Sequence, residues 1–151
     1  MKKIVCILIT IFLYSSAAIA DAHGLISIKS IHSVNSTADR LEKALLAKGM
    51  TVFARINHAE GAKKVGKTLR PTELVIFGNP KVGTALMQCA QTSAIDLPQK
   101  ALIWKDKTGQ VWFTYNNPEY LLKRHAIKGC DKVLDKIAHA LANFAKVATA
   151  E

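Results

Sequence analysis

Two strand-like runs joined by a tight turn restrict the fold more than any other feature of this chain. Lys100–Lys105 and Gln110–Tyr115 are rich in aliphatic and aromatic residues, and Asp106-Lys-Thr-Gly109 between them is typical of a hairpin turn. Strands connected in this way pair antiparallel. The sequence therefore predicts a sheet that is at least partly antiparallel, with Trp104, Trp112 and Tyr115 in its core or in cross-strand pairs.

The rest of the chain supplies three further strands and five helices. Strands are predicted at 24–31, 50–56 and 73–77, and helices at 36–48, 59–65, 81–90, from 117 onward and at 131–147. Asn35 and Ser36 are suited to cap the first helix. Because helices do not alternate regularly with strands, the order predicts an α+β fold, a mainly antiparallel sheet covered on one face by helices.

The first twenty residues have the pattern of a signal peptide. Lys2 and Lys3 precede an apolar run over residues 4–14, and Ala18-Ile-Ala20 is a small-x-small cleavage pattern. We expect cleavage after Ala20, a periplasmic or secreted protein, and one domain over residues 21–151, without a transmembrane segment once the signal is removed. An uncleaved N-terminal anchor is the alternative.

The chain is basic, with 21 Lys and Arg against 11 Asp and Glu and a formal net charge of +10. Such a balance suits nucleic acid, anionic lipid or acidic ligands. Export argues against nucleic acid, and the lysines are scattered rather than clustered. A solvated cationic surface and attraction to an anionic envelope surface both remain open.

Gly78 and Gly83 follow a strand-like run with the spacing of a phosphate-binding loop. Thr84 stands where that loop needs its lysine, so the sequence does not support a nucleotide site. Asn79 and Pro80 are instead typical of a helix cap and first helical residue. Free backbone N–H groups at that helix start could hold a small anion.

Cysteine and histidine provide few further signals. Outside the signal, Cys89 and Cys130 form either one disulfide or two separate thiols. His23 would lie third in a chain cut after Ala20, which makes it a weak candidate for copper. Asp96 could form a salt bridge with Lys100, or orient the imidazole of His58 or His125 for acid–base chemistry.

Several motifs resemble those of the domain of unknown function 302 family. These are "NHAEGAKKVG", "IFGNP", "DLPQK", "YNNPE" and the terminal "RH", within a match from about Leu25 to Ala145. The resemblance implies a TATA-binding-protein-like fold, β-α-β(4)-α in outline, and a tendency to form homodimers. It implies no activity and no cofactor.

The resemblance also selects the candidate binding residues, which are the polar positions that match the family's motifs: His58, Asn79, Asp96, Lys100, Asn116, Arg124 and His125. We expect an exported, non-enzymatic domain that binds a small anionic or apolar ligand or a partner, with no catalytic residue assigned. One alternative is a hydrolase or isomerase using His58 or His125 with Asp96. The other is a copper or redox-linked envelope protein.

Overall fold

The computed structural model describes residues 19–20 and 24–151. The expected signal peptide, except for Ile19–Ala20, and the copper candidate His23 lie outside the described residues. The strands are β1 Ile19–Ala20, β2 Leu25–Ser30, β3 Thr51–Asn57, β4 Thr72–Gly78, β5 Gln99–Lys105 and β6 Val111–Asn116. The helices are α1 Val34–Ala47, α2 His58–Lys64, α3 Pro80–Cys89, α4 Pro118–Arg124 and α5 Asp131–Thr149, with a 3₁₀ helix at Gln91–Ile95.

The strands form one antiparallel sheet in the order β1-β2-β6-β5-β4-β3. The predicted hairpin pairs β5 with β6, with Trp104 opposite Trp112. Gly109 has φ +92°, a conformation that favours glycine, and the Asp106 side chain accepts hydrogen bonds from within the turn. The α+β prediction is confirmed.

Helices α1 and α5 pack together over one face of the sheet. Alternate residues of the strands point into this layer, as Val75, Phe77, Ile103 and Phe113 show by being at most 1% exposed. The long helix α5 contributes Leu134, Ile137, Leu141 and Phe144 at helical spacing. Within residues 24–151, no helix is both long and apolar enough to cross a membrane.

The first helix begins slightly earlier than the sequence indicates. Ser33, rather than Asn35 or Ser36, is the N-cap, and its side chain accepts the backbone N–H of Ser36. The other helix starts agree with prediction, since Asn79 and Asn117 each cap a helix that begins with proline. The 3₁₀ helix was not predicted, because its five residues carry no recognisable periodic pattern.

The guanidinium of Arg55 joins β3 to the neighbouring strand β4 and to helix α1. Arg55 donates to Glu73 at 2.6 Å and to Asp39 and Glu42 at 2.7 Å each. The Glu73 hydrogen bond is the largest contribution that raises the Arg55 pKa above its ordinary value. Glu73 is only 5% exposed, so Arg55 supplies the counter-charge that allows a carboxylate to be buried there.

Candidate functional site

Six of the seven candidate binding residues lie at one end of the sheet. At this end β4 and β6 finish and β5 begins, as the pairing of Phe77 with Gln99 and of Tyr115 with Ala101 shows. The residues placed there are Asn79, Asp96, Lys100, Asn116, Arg124 and His125. The structure therefore brings together most of a set that is widely separated in the sequence.

His58 lies at the opposite end of the sheet. It is the first residue of α2, it is exposed, and the preceding Asn57 pairs with Glu73 at the start of β4. Asn57 also caps α2 by accepting the Glu60 backbone N–H. The structure thus separates His58 from Asp96, and an acid–base pair of these two residues does not form.

Asp96 is the centre of a hydrogen-bonded group that we call the Asp96 cluster: Thr92, Asp96, Lys100, Arg124 and His125. The Asp96 carboxylate lies 2.6 Å from His125 Nε2 and 3.4 Å from Arg124 Nη1. Its side chain is 12% exposed and that of His125 is 5% exposed, whereas Arg124 is 45% exposed. The His125 contact is therefore the short and shielded one of the two.

Both ring nitrogens of His125 are engaged. A carboxylate only accepts hydrogen bonds, so Nε2 must carry the proton that is donated to Asp96. In a neutral ring, Nδ1 is then the acceptor for the Thr92 hydroxyl, 3.1 Å away. Neither ring nitrogen is free for direct proton transfer with a substrate, and Nδ1 could take a proton only from the Thr92 hydroxyl. The three side chains act as a clamp between α4 and the segment before β5.

Lys100 strengthens the same clamp, but not by the predicted salt bridge. Its Nζ donates to the backbone carbonyls of Asp96 at 2.9 Å and Pro98 at 3.1 Å. The Asp96 carboxylate is occupied by His125 and Arg124 instead. Lys100 therefore supplies hydrogen-bond donors to two backbone carbonyl groups of an irregular turn, which have no partner in a neighbouring strand.

The two remaining candidates at this end have mainly structural contacts. Asn79 caps α3 by accepting the Lys81 backbone N–H at 3.0 Å, as predicted. Asn116 closes β6, where it pairs with Leu25 and is half-buried. Among the described residues, the Asn116 side chain makes no hydrogen bond to the Asp96 cluster.

An apolar cavity of about 590 Å³ lies beside the Asp96 cluster. It is half-open and is bordered by α3, α5 and the adjoining ends of β3 and β4. Its apolar lining includes Phe53 and Met87, with the edges of the buried side chains Phe77, Ile137, Leu141 and Phe144. Residues 91–98, which we call the wall segment, contribute Ala94, Leu97 and Pro98. The cluster therefore fixes one side of the cavity.

Sequence patterns did not indicate this cavity. Ile137, Leu141 and Phe144 follow the periodicity of a core-facing helix, and such positions are normally filled by neighbouring side chains. Phe53 is 54% exposed, although it lies in a strand and would be expected to pack. Two residues at the site were not predicted: Thr92, which hydrogen-bonds to His125, and Tyr120, whose hydroxyl accepts a hydrogen bond from Arg124 at 2.9 Å. Their positions depend on how α4 meets the wall segment.

Cys89 and Cys130 lie together at the ends of two helices that enclose the cavity. Their Cα atoms are 6.4 Å apart, within the range of disulfides, and the sulfurs are bonded in the structure. Cys89 ends α3 and Cys130 precedes α5. The bond would hold α3 against α5, and its formation in the cell stays a prediction.

In the described part of the chain, no group of three or more His, Cys, Asp or Glu side chains is arranged to hold a metal ion. The copper alternative depends on His23, which lies outside the described residues. The redox-linked alternative depends on the single pair Cys89 and Cys130.

The fold and the site define a small α+β domain, with one helical layer on an antiparallel sheet and a polar cluster beside an apolar cavity. The chain belongs to the family described as domain of unknown function DUF302, whose model matches residues 26–144. The family recognised from the sequence motifs is thereby confirmed.

A solved structure has the same fold. The crystal structure of the uncharacterized conserved protein DUF302 from Bacillus stearothermophilus aligns with a TM-score of 0.75. The alignment covers 84% of this chain and 99% of that one, at 18% sequence identity. At this identity, the likeness establishes the fold alone.

Curated relatives match a large part of the chain. The "Fluoride-specific ion channel FluC 1" of Brucella suis biovar 1 (strain 1330) is 48% identical over 111 residues, which are 74% of this chain and 43% of that protein. The protein of the same name from Brucella abortus biovar 1 (strain 9-941) has the same identity, over 41% of its length. The chain thus spans about two-fifths of these relatives, and the channel name describes proteins that extend well beyond the match.

Proposed function

We propose that this domain is a non-enzymatic binding module that takes a small, largely apolar ligand into the cavity between α3 and α5. The cavity itself carries the proposal. Its volume of about 590 Å³ falls within the 300–1,000 Å³ typical of small-molecule sites, and apolar side chains dominate its surface.

The Asp96 cluster gives the proposal a role for the polar residues. Asp96, Lys100 and His125 hold the wall segment through its own backbone and side chains. Asn79 caps the helix on the neighbouring side of the cavity. Asp96, Lys100 and His125 would then preserve the shape of a pocket rather than touch its contents, which fits their engaged hydrogen-bonding groups, whereas Asn79 also lines the pocket.

Filling the cavity from α3 tests the proposal. A Cβ atom added at Gly83, which lines the cavity, would meet no heavy atom within 4 Å, so Gly83→Phe can be introduced without a backbone clash. We expect this variant to lose binding of the neutral fluorescent probe N-phenyl-1-naphthylamine. Gly61→Phe in α2 is the matched control, because Gly61 has the same free space and lies outside the cavity.

Two results would refute this function. The first is that the natural chain leaves the probe unbound at concentrations where other apolar pockets bind it. The second is that Gly83→Phe and Gly61→Phe bind it equally well, which would locate the probe elsewhere. Urea denaturation of both variants would establish that each is folded before binding is compared.

Export is part of the same proposal. The signal-like first twenty residues support a periplasmic or secreted location with cleavage after Ala20. Mass spectrometry of the protein from an exporting bacterium should find a chain that starts at Asp21. A cell-associated chain that still starts at Met1 would support the uncleaved anchor instead.

Homodimer formation is also proposed, through the sheet face opposite α1 and α5. Leu74, Leu102, Trp104 and Trp112 are half-buried there and form a continuous apolar surface across three neighbouring strands. Light scattering should give twice the mass of the chain, and Leu102→Lys should reduce it to the monomer. A monomeric natural chain at high concentration would exclude this assembly.

A hydrolase remains the second candidate, because Thr92, His125 and Asp96 form an unbroken hydrogen-bonded chain. In such a chain, the Thr92 hydroxyl would attack an ester carbonyl while His125 Nδ1 accepts its proton. The imidazolium would then give that proton to the departing alcohol, and water would release the acid from the acyl-threonine. Hydrolysis of p-nitrophenyl acetate by the natural chain, abolished in Thr92→Val, would support it. Equal rates for the two chains would remove it.

A further inference from the structure

The charges around the apolar cavity all have one sign. Among the residues that line it, the only ionisable side chains are Lys48, at the end of α1, and Lys136, on α5. Both lysines are exposed, and no Asp or Glu lines the cavity. The cavity therefore combines an apolar interior with a cationic margin.

Neither lysine has a carboxylate partner within residues 24–151. The salt bridges found there are made by Arg55, Arg124 and His125. The two ammonium groups are thus available to an anion from outside the chain. Lys48 follows α1 and Lys136 lies on α5, and these helices are far apart in the chain. The presence of both lysines at one cavity is therefore not a consequence of a lysine-rich segment.

We propose that the ligand of this cavity is a free amphipathic carboxylate. Its apolar body would occupy the space between α3 and α5, and its carboxylate would lie near Lys48 and Lys136. This identification rests on the proposed binding function and adds the chemical class of the ligand. It also gives the basic charge of the chain a local use beyond general solubility.

Three probes with the same alkyl chain test the class of ligand: decanoate, decanol and decyltrimethylammonium. Each would be titrated calorimetrically below its aggregation threshold. We expect the natural chain to bind decanoate most tightly and decyltrimethylammonium least tightly. Exposed ion pairs contribute about 0.2–1 kcal/mol each, so Lys48→Gln or Lys136→Gln should weaken decanoate binding by a factor of about 1.4 to 5.

The double variant Lys48→Gln/Lys136→Gln should lose about tenfold in decanoate affinity and nothing in decanol affinity. Lys132→Gln/Lys146→Gln is its control, because it removes the same charge from exposed positions of α5 that do not line the cavity. Equal losses in the two double variants would overturn the proposal, since they would show an effect of net charge alone.

Other outcomes distinguish a wrong ligand class from a failure of the proposed binding function. If decanol and decanoate bind equally and Gly83→Phe abolishes both, the cavity binds ligands but the carboxylate assignment is wrong. If the chain binds phosphatidylglycerol vesicles but not monomeric decanoate, the free-ligand proposal is wrong. If neither decanoate, decanol nor N-phenyl-1-naphthylamine binds, the binding function itself fails.

Discussion

Replacing His125 by phenylalanine tests whether the Asp96 cluster holds the cavity in shape. The change keeps a planar ring of similar size at the end of α4 but removes both of its hydrogen bonds. Asp96 would keep only Arg124, which is 3.4 Å away and largely exposed. Thr92 is exposed and would bond to water instead.

The cost follows from the contacts that are lost. A hydrogen bond to a charged group contributes about 1.5–3 kcal/mol to stability. Asp96 is 12% exposed and can regain some hydration, so we expect His125→Phe to destabilise the fold by about 1.5–2 kcal/mol. The wall segment should also loosen, because the amides of Asp96 and Leu97 are held only by Ser93 within it.

A double-mutant cycle measures the pair directly. His125→Phe, Asp96→Ala and the double variant would be unfolded in urea, and the coupling energy between the two positions should be about 1.5 kcal/mol. Thr92→Val is the control, and its effect should stay within about 0.5 kcal/mol because its side chain is exposed.

Two results would contradict this reasoning. A coupling energy below about 0.5 kcal/mol would mean that the short contact contributes nothing measurable beyond a surface pair. A clear coupling energy with unchanged binding of N-phenyl-1-naphthylamine would mean that the cluster stabilises the fold without shaping the cavity. Hydrogen exchange at the Asp96 and Leu97 amides would show where the loosening occurs.

Three further predictions concern stability. Arg55→Ala should lower the free energy of unfolding in urea by roughly 2–3 kcal/mol, because Glu73 would stay buried without its counter-charge, whereas Arg55→Ala/Glu73→Leu should recover most of it. The hydrogen bonds from Thr108 and Trp112 lower the pKa of Asp106 from 3.8 to about 2. Its stabilising contribution is therefore complete above pH 4 and lost as the pH falls towards 2, and an NMR titration midpoint near 3.8 would disprove this. Reducing a bond between Cys89 and Cys130, which closes a loop of 41 positions, should cost about 3–4 kcal/mol, and two free thiols in the exported protein would show that none had formed.

Much of the fold could be predicted because its signals are local. The Asp106–Gly109 turn, the Asn79-Pro80 cap and the periodicity of 131–147 each depend on a few neighbouring residues. The structure places all three as expected, with α5 extending to Thr149. The Ser33 cap was missed because three polar residues within four positions, Ser33, Asn35 and Ser36, could each begin the helix, and local preference does not distinguish between them.

The site was only partly predictable, because its contacts are not local. Asp96 and His125 were both selected by their resemblance to family motifs, but nothing in the sequence paired them rather than Asp96 with His58 or Lys100. The choice is made by the sheet, which brings the start of β5 next to the end of β6 and hence to α4. His58 is carried to the far end by the same topology, since β3 runs antiparallel to β4.

The cavity could not be predicted from the sequence, for a different physical reason. Hydrophobic periodicity shows that Ile137, Leu141 and Phe144 face inward, but it does not show whether the space they face is filled. That depends on volume, and here α3 offers only Gly83 and small or flexible side chains opposite α5. A Cβ atom at position 83 would meet no heavy atom within 4 Å, so the fold itself does not require a glycine there.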